Sequence, residues 1–340
     1  MPRLILVISD LYPSRQRVSG MPRLVGLERW LARGRCEHLS QGWQQWLLDA
    51  YLKDSEARQP WAEVAGAGAG VDGRRGWLAT PVNLVAGIDT VRVHPAGLLH
   101  LELQQQQALA ADFAVVFRDS GWTLHATGRR ELLLTGTAAL CARSSDPARW
   151  LGADPAPGAV SGADAAAADA RTLRRLGSEL EMWLHEHPVN RARSAAGKLA
   201  ASGLWLWGGA APPLPATGSA APVGAARLKV YGADLFLEGL CRLTGGSSHA
   251  LPTLPTPPAL PDPVAADAIV HLTLGGAPDS AALQALEREL IAPLMRQLRH
   301  GYWDALTLLA GEQGVTLRRA GWRRWTLLAR KQPWWERLLG

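Results

Sequence analysis

Leu4-Ile5-Leu6-Val7-Ile8-Ser9-Asp10, followed by Pro13, is the stretch that decides the fold. Five consecutive apolar residues closed by a polar pair and a turn former read as a strand buried on both faces, the pattern of parallel sheets. Open parallel sheets bind ligands at the carboxyl ends of their strands, which is where the Asp10 carboxylate would sit. A helix N-cap or a turn would use the same side chain, so both readings stand at this point.

Beyond this strand, Leu24, Leu27, Trp30 and Leu31 recur at helical spacing up to Gly34, and Trp43, Trp46, Leu47 and Ala50 repeat the pattern. Residues 65–76 are rich in Ala and Gly without periodicity and read as a loop. Within them Gly68, Gly70 and Gly73 spell G-x-G-x-x-G, but no strong strand precedes them, and Gly76 and Pro81 oppose a following helix. The dinucleotide-binding context therefore fails.

From Pro81 the pattern changes to Val82–Val85 and Thr90–Val93 as strands, Gln104–Phe117 as a helix, and Trp122–His125 with Glu131–Leu134 as a hairpin around Gly128. A helix carrying Leu173, Leu176, Leu180, Trp183 and Leu184 stops at His187-Pro188. Leu204-Trp205-Leu206-Trp207 then resumes the buried-strand pattern. Ala233–Leu243 reads as a helix, Ala268–Leu274 as a strand, Ser280–Leu298 as a long helix and Ala305–Leu309 as a strand. The simplest architecture is α/β: a mostly parallel sheet flanked by helices over residues 1–65 and 200–330, interrupted by a smaller inserted α+β domain at 76–198 and ending in a basic, Trp-rich tail at 331–340.

With 340 residues, 47% of them hydrophobic, the chain can bury a substantial core, which argues against wholesale disorder. Leu4–Ile8 is too short for a signal-peptide core or a membrane span. Cys36, Cys141 and Cys241 are odd in number and far apart, which supports neither a disulfide framework nor a zinc knuckle; a cytoplasmic protein is expected. The net charge of +6 is matched by residues 317–340 alone, so no nucleic-acid partner is expected. In His185-Glu186-His187 the two imidazoles sit two residues apart and face different sides of a helix, which favours capping or substrate contact over a metal.

Leu4 to Asp10, Met21 to Gly34, Arg129 to Leu134, His187-Pro188-Val189-Asn190, Leu204 to Gly209 and Tyr231 to Gly246 together resemble the proteobacterial regulatory proteins of the pathogenicity-factor type. Those proteins are similar to the archaeal-type cofactor-independent phosphoglycerate mutases of the alkaline phosphatase superfamily. The resemblance implies an alkaline-phosphatase-like core with an inserted domain. It also implies, for an active enzyme, two divalent ions (manganese or magnesium) held by Asp and His beside a phosphoryl-carrying Ser, a pair that clamps the attacking and leaving oxygens. Asp10 alone matches that set. In place of the nucleophile the chain has the Ala/Gly stretch 65–70, in place of the Asp-x-x-x-His pair it reads Leu274 to Asp279 without a following His, and in place of Gly-Asp-His it has Gly311-Glu312-Gln313.

The expectation is therefore a phosphoglycerate mutase-like chain without a dimetal site or a cofactor, acting as a regulatory or partner-binding protein. The alternative is an active metal-dependent mutase or phosphohydrolase. A ligand is expected at the strand ends, bounded by Asp10, Tyr12 and Trp207, with His187, Asn190, Arg191 and Arg193 within reach and the arginines contacting an anion. Trp322 and Trp325 alternate with arginines, and Trp334-Trp335 follow Pro333. They either dock on the core or form a surface for a protein partner, with attachment to a membrane surface as a variant of the second reading. No transmembrane segment is expected.

Overall fold

A computed structural model describes residues 2–11, 21–52, 61–87, 90–137, 140, 142–153, 160–161, 167–209, 228–251, 266–274, 278–320 and 332–339. In chain order the first elements are β1 (Arg3–Ile8), α1 (Val25–Arg33), β2 (Arg35–His38), α2 (Trp43–Tyr51), α3 (Trp61–Ala69), β3 (Gly76–Ala86), β4 (Val91–Leu98) and α4 (Leu103–Val116). Then come β5 (Trp122–His125), β6 (Leu132–Gly136), β7 (Arg143–Ser144), β8 (Val160–Ser161), α5 (Ala167–His185), α6 (Pro188–Ala195) and β9 (Gly203–Trp207). The chain closes with β10 (Lys229–Tyr231), α7 (Leu235–Leu243), β11 (Ser247–His249), β12 (Ala268–Leu272), α8 (Ser280–Leu286), α9 (Ala292–His300), β13 (Ala305–Ala310), β14 (Gln313–Arg318) and α10 (Trp334–Leu339). A five-residue π turn, Glu287–Ile291, joins α8 to α9.

Two compact units result. The first comprises Met1–Ala50, Val223–Ala233 and Thr244–Gly340; the second comprises Tyr51–Pro222 and Asp234–Leu243.

In the first unit the strands run β11-β10-β12-β1-β13-β14-β2. The five from β11 to β13 are parallel, and β14 and β2 add an antiparallel edge. β1 lies between β12 and β13, which explains why Leu4 to Ile8 are apolar without alternation: both edges are paired and both faces covered. One face packs Leu4, Leu6, Ile8, Leu306, Leu308 and Leu317 against Leu27 and Trp30 of α1 and Leu294 and Leu298 of α9. At the C-terminal end α10 packs on α1 and buries Trp334, Trp335 and Leu338 in that core. The Trp334 indole N–H donates to the Pro22 carbonyl at 3.0 Å.

The second unit is built on an antiparallel sheet, β4-β3-β6-β5, to which β9 adds by pairing with β3. Its core joins Trp77, Leu132, Leu134 and Leu206 to Phe113 of α4 and Leu173, Leu176 and Leu180 of α5. Two sequence expectations are corrected here. Leu204–Trp207 runs antiparallel to β3 and does not continue the parallel sheet; its unbroken apolar run reflects packing beneath α5, not parallel pairing. Residues 61–69 are helical, where a loop was expected from Ala65 onward. The small residues of α3 serve its packing on α7, since a Cβ on Gly68 would lie 2.4 Å from the Leu235 carbonyl oxygen and one on Gly239 only 1.7 Å from that of Val64. Backbone-to-backbone contact of this kind overrides weak helix propensity.

Candidate functional site

At the carboxyl edge of the parallel sheet, β1 ends in Ser9 and Asp10. Both carboxylate oxygens of Asp10 accept the Leu274 backbone N–H, at 2.8 and 2.9 Å, so the side chain ties the exit of β1 to the exit of β12. Ser9 Oγ lies 3.1 Å from His271 Nε2 of β12, and both side chains are buried. The Trp43 ring stands 6.0 Å from that imidazole. Two strands away, Tyr231 of β10 stacks on His249 of β11 at 5.1 Å, and Ser247 Oγ lies 3.0 Å from His249 Nε2. A Ser–His hydrogen bond is the first link of a nucleophile–base pair. Ser9, however, is only 1% exposed, so its hydroxyl meets no substrate in this state and the pair acts as a lock between two strands.

Asp10 belongs to the first unit; His187, Asn190, Arg191, Arg193 and Trp207 belong to the second. Tyr12 lies outside the described residues, as do Trp322 and Trp325. His187 caps α6, its Nδ1 accepting the Val189 N–H at 3.1 Å, so the neutral ring carries its proton on Nε2, which faces the Asp112 carboxylate at 3.5 Å. Burial pushes the imidazole below its ordinary pKa, with Asp112 opposing and Arg191 adding to the shift.

Asn190 donates to the carbonyls of Leu184 and Ala201 and accepts the Ala201 N–H, which pins α6 to the loop before β9. Buried Arg193 donates to the Leu199 carbonyl and to Gln105 Oε1, while Arg191 is exposed. The Trp207 indole donates to Thr80 Oγ1 at 2.8 Å and meets Trp61 edge-on at 5.7 Å. Arg193 thus spends these donors on one backbone carbonyl and one side-chain amide, and Arg191 is the arginine of this pair that faces solvent. Trp334 and Trp335 are core residues, which is the docked arrangement among the two that the sequence leaves open.

A cluster that the sequence reading missed lies in the second unit. Asp234 precedes α7 and accepts the Leu237 N–H at 2.9 Å; Arg130 pairs with Glu131 at 2.7 Å and Arg129 with Glu238 at 2.6 Å. Only the N-cap role of Asp234 has a local signal, Asp before an apolar helical run.

No family model matches the chain, and no curated protein matches it. Among solved structures it is similar to the cofactor-independent phosphoglycerate mutase of Thermoplasma acidophilum, with 15% identity and a TM-score of 0.39 over 98% of this chain and 97% of that one. A protein of Pyrococcus horikoshii gives 11% identity and the same TM-score over 93% and 87%. At these values the likeness alone assigns neither family nor activity. Among the described residues no group of three His, Cys, Asp or Glu is placed to hold a metal ion, and no helix is long and apolar enough to cross a membrane.

Proposed function

We propose that this chain is a regulatory or partner-binding protein on a phosphoglycerate mutase-like α/β scaffold, without a dimetal phosphoryl-transfer centre. The observation that carries this reading is the state of Asp10, whose two oxygens are both engaged by the Leu274 N–H. A carboxylate used this way ties the exits of two strands, and because one N–H leaves lone pairs on both oxygens, a dimetal centre would still need further Asp and His ligands beside it.

The other positions at which the resemblance would place reactive groups also have structural roles. Residues 65–69 lie on α3, where Ala65, Gly66 and Gly68 are buried. Asp279 caps α8, its Oδ1 accepting the Ala282 N–H at 2.7 Å. Gly311 and Glu312 form the tight turn between β13 and β14, closed by the pair Ala310 and Gln313. Two-metal catalysis needs all its ligands at once, and a single carboxylate supplies too few.

The test is elemental analysis of protein purified without chelator, with an assay of 2-phosphoglycerate and 3-phosphoglycerate interconversion in manganese or magnesium. Substoichiometric metal and no interconversion are expected, together with a loss of about 1–3 kcal/mol of stability in Asp10→Ala from the orphaned Leu274 N–H. Stoichiometric metal that disappears in Asp10→Asn, accompanied by mutase activity in the parent, would establish the enzyme alternative instead.

A further inference from the structure

At the opposite end of β1 from Asp10, the sheet register gathers arginines on one face. Arg3 of β1 is in register with Ala305 of β13, and Ala305 with Arg318 of β14. Two residues along each strand, Ile5, Thr307, Thr316 and Arg35 of β2 form the next row. Residues in register or two apart share a face of a sheet. This is the face away from the α1 and α9 core, to which Leu4, Leu306 and Leu317 point. Small Ala305 leaves a depression between Arg3 and Arg318, and Arg299 of α9, Arg319 and Trp46 of α2 wall a groove of about 920 Å³ over it. A second depression of about 830 Å³ shares Arg318 and Thr316 and adds Arg33, Arg35 and Glu37, whose carboxylate accepts the Trp46 indole N–H at 3.2 Å.

The charges in this groove are poorly matched. Arg3 is held by Asp267, its Nε donating to Oδ2 at 3.0 Å. Among the described residues the guanidinium groups of Arg35, Arg299, Arg318 and Arg319 have neither an ion pair nor a hydrogen bond, and Asp304 is the only carboxylate lining the larger depression. Like charges collected around a small floor repel one another, and a concave wall concentrates their field. Thr307 Oγ1 and Thr316 Oγ1 lie 3.1 Å apart, so one hydroxyl proton is shared between them and the other is left to donate into the groove.

We propose that this groove binds an oligophosphate, a ligand with two or more consecutive phosphate groups. Several convergent guanidinium forks match the oxygens of such a chain, each able to take a phosphate bidentately, whereas a single carboxylate would satisfy only one. The volume is that of a small-molecule site. The site stands independently of the reading of Asp10, which lies past the other end of the same strand.

The test is calorimetric titration of the full-length chain with sodium tripolyphosphate, and in parallel with adenosine triphosphate, at about 50 and 200 mM salt. Binding in the range of about 1–100 μM that weakens with salt is expected. Equal affinity for the two ligands identifies the phosphate chain as the whole determinant; tighter binding of the nucleotide adds a contact to the base. The triple variant Arg299→Gln, Arg318→Gln, Arg319→Gln should lose at least about tenfold in affinity at unchanged Tm. The charge-matched variant Arg171→Gln, Arg174→Gln, Arg175→Gln in the second unit should bind as the parent does. Absence of binding, or equal weakening in both triple variants, overturns the site. A single-stranded oligonucleotide that binds more tightly than tripolyphosphate overturns the oligophosphate assignment in favour of a nucleic-acid track.

Discussion

Asp234 caps α7 with a side chain that is almost wholly buried, and its pKa is pushed up to about 7, first by burial and then by the Glu131 charge, while the Leu237 N–H and Arg130 oppose the shift and Glu238 adds to it. The folded chain keeps a proton on this carboxyl between about pH 4 and pH 7 where the unfolded chain has lost it, so stability falls as pH rises through that window and is level above it. Asp234→Asn retains the cap and removes the charge. It should stabilise the chain by about 1–2 kcal/mol at pH 8 and change little at pH 4, as read by urea unfolding at the two values. An equal gain at both would remove protonation from the account. In the sequence Asp234 is legible as a cap, and Asp10 as a strand end. What the sequence hides is distance: the partners in Ser9–His271 are separated by 262 positions and those in Arg129–Glu238 by 109, and no local periodicity connects them.

At the scale of elements, helices and strands with one buried stripe or two buried faces were legible, among them β1, α1, α4, α5, β12 and β13, because their apolar spacing is set by the surface they cover. The misreadings have physical reasons. β2, to which no element is assigned from the sequence, is four exposed residues paired at a sheet edge, so its sequence has no apolar pattern to find. α3 is a helix through its contact with α7, and that contact gives a paired prediction. Gly239→Ala should destabilise by about 3 kcal/mol, because the new methyl collides with the Val64 carbonyl and two backbones must separate. Gly177→Ala on α5, where a Cβ meets nothing within 4 Å, should instead stabilise by about 0.5–1 kcal/mol through helix propensity. Urea unfolding of both variants decides the matter; a stable Gly239→Ala protein would show that the two helices do not pack as closely as described.

At the scale of the whole molecule, the chain passes between the two units at residues 50–51, 222–223, 233–234 and 243–244, and the first unit is assembled from three separate segments. Its central strand, β1, is flanked by partners that begin at Ala268 and Ala305, so the parallel sheet has no core until almost the whole chain is present. The second unit draws its sheet from residues 76–207 and needs no such closure. High sequence separation of this kind makes the first unit the slower to form and the more dependent on its last element. That element is α10, whose Trp334 is fully buried against α1. Trp334→Ala removes a large side chain from that core at a cost of about 3–5 kcal/mol. Hydrogen exchange on the full-length variant should then show protection lost from β1, β12 and β13, with β3, β6 and α5 retaining theirs. Uniform loss across both sheets would mean that the two units unfold as one cooperative body, and unchanged protection everywhere would mean that α10 contributes nothing to holding the parallel sheet.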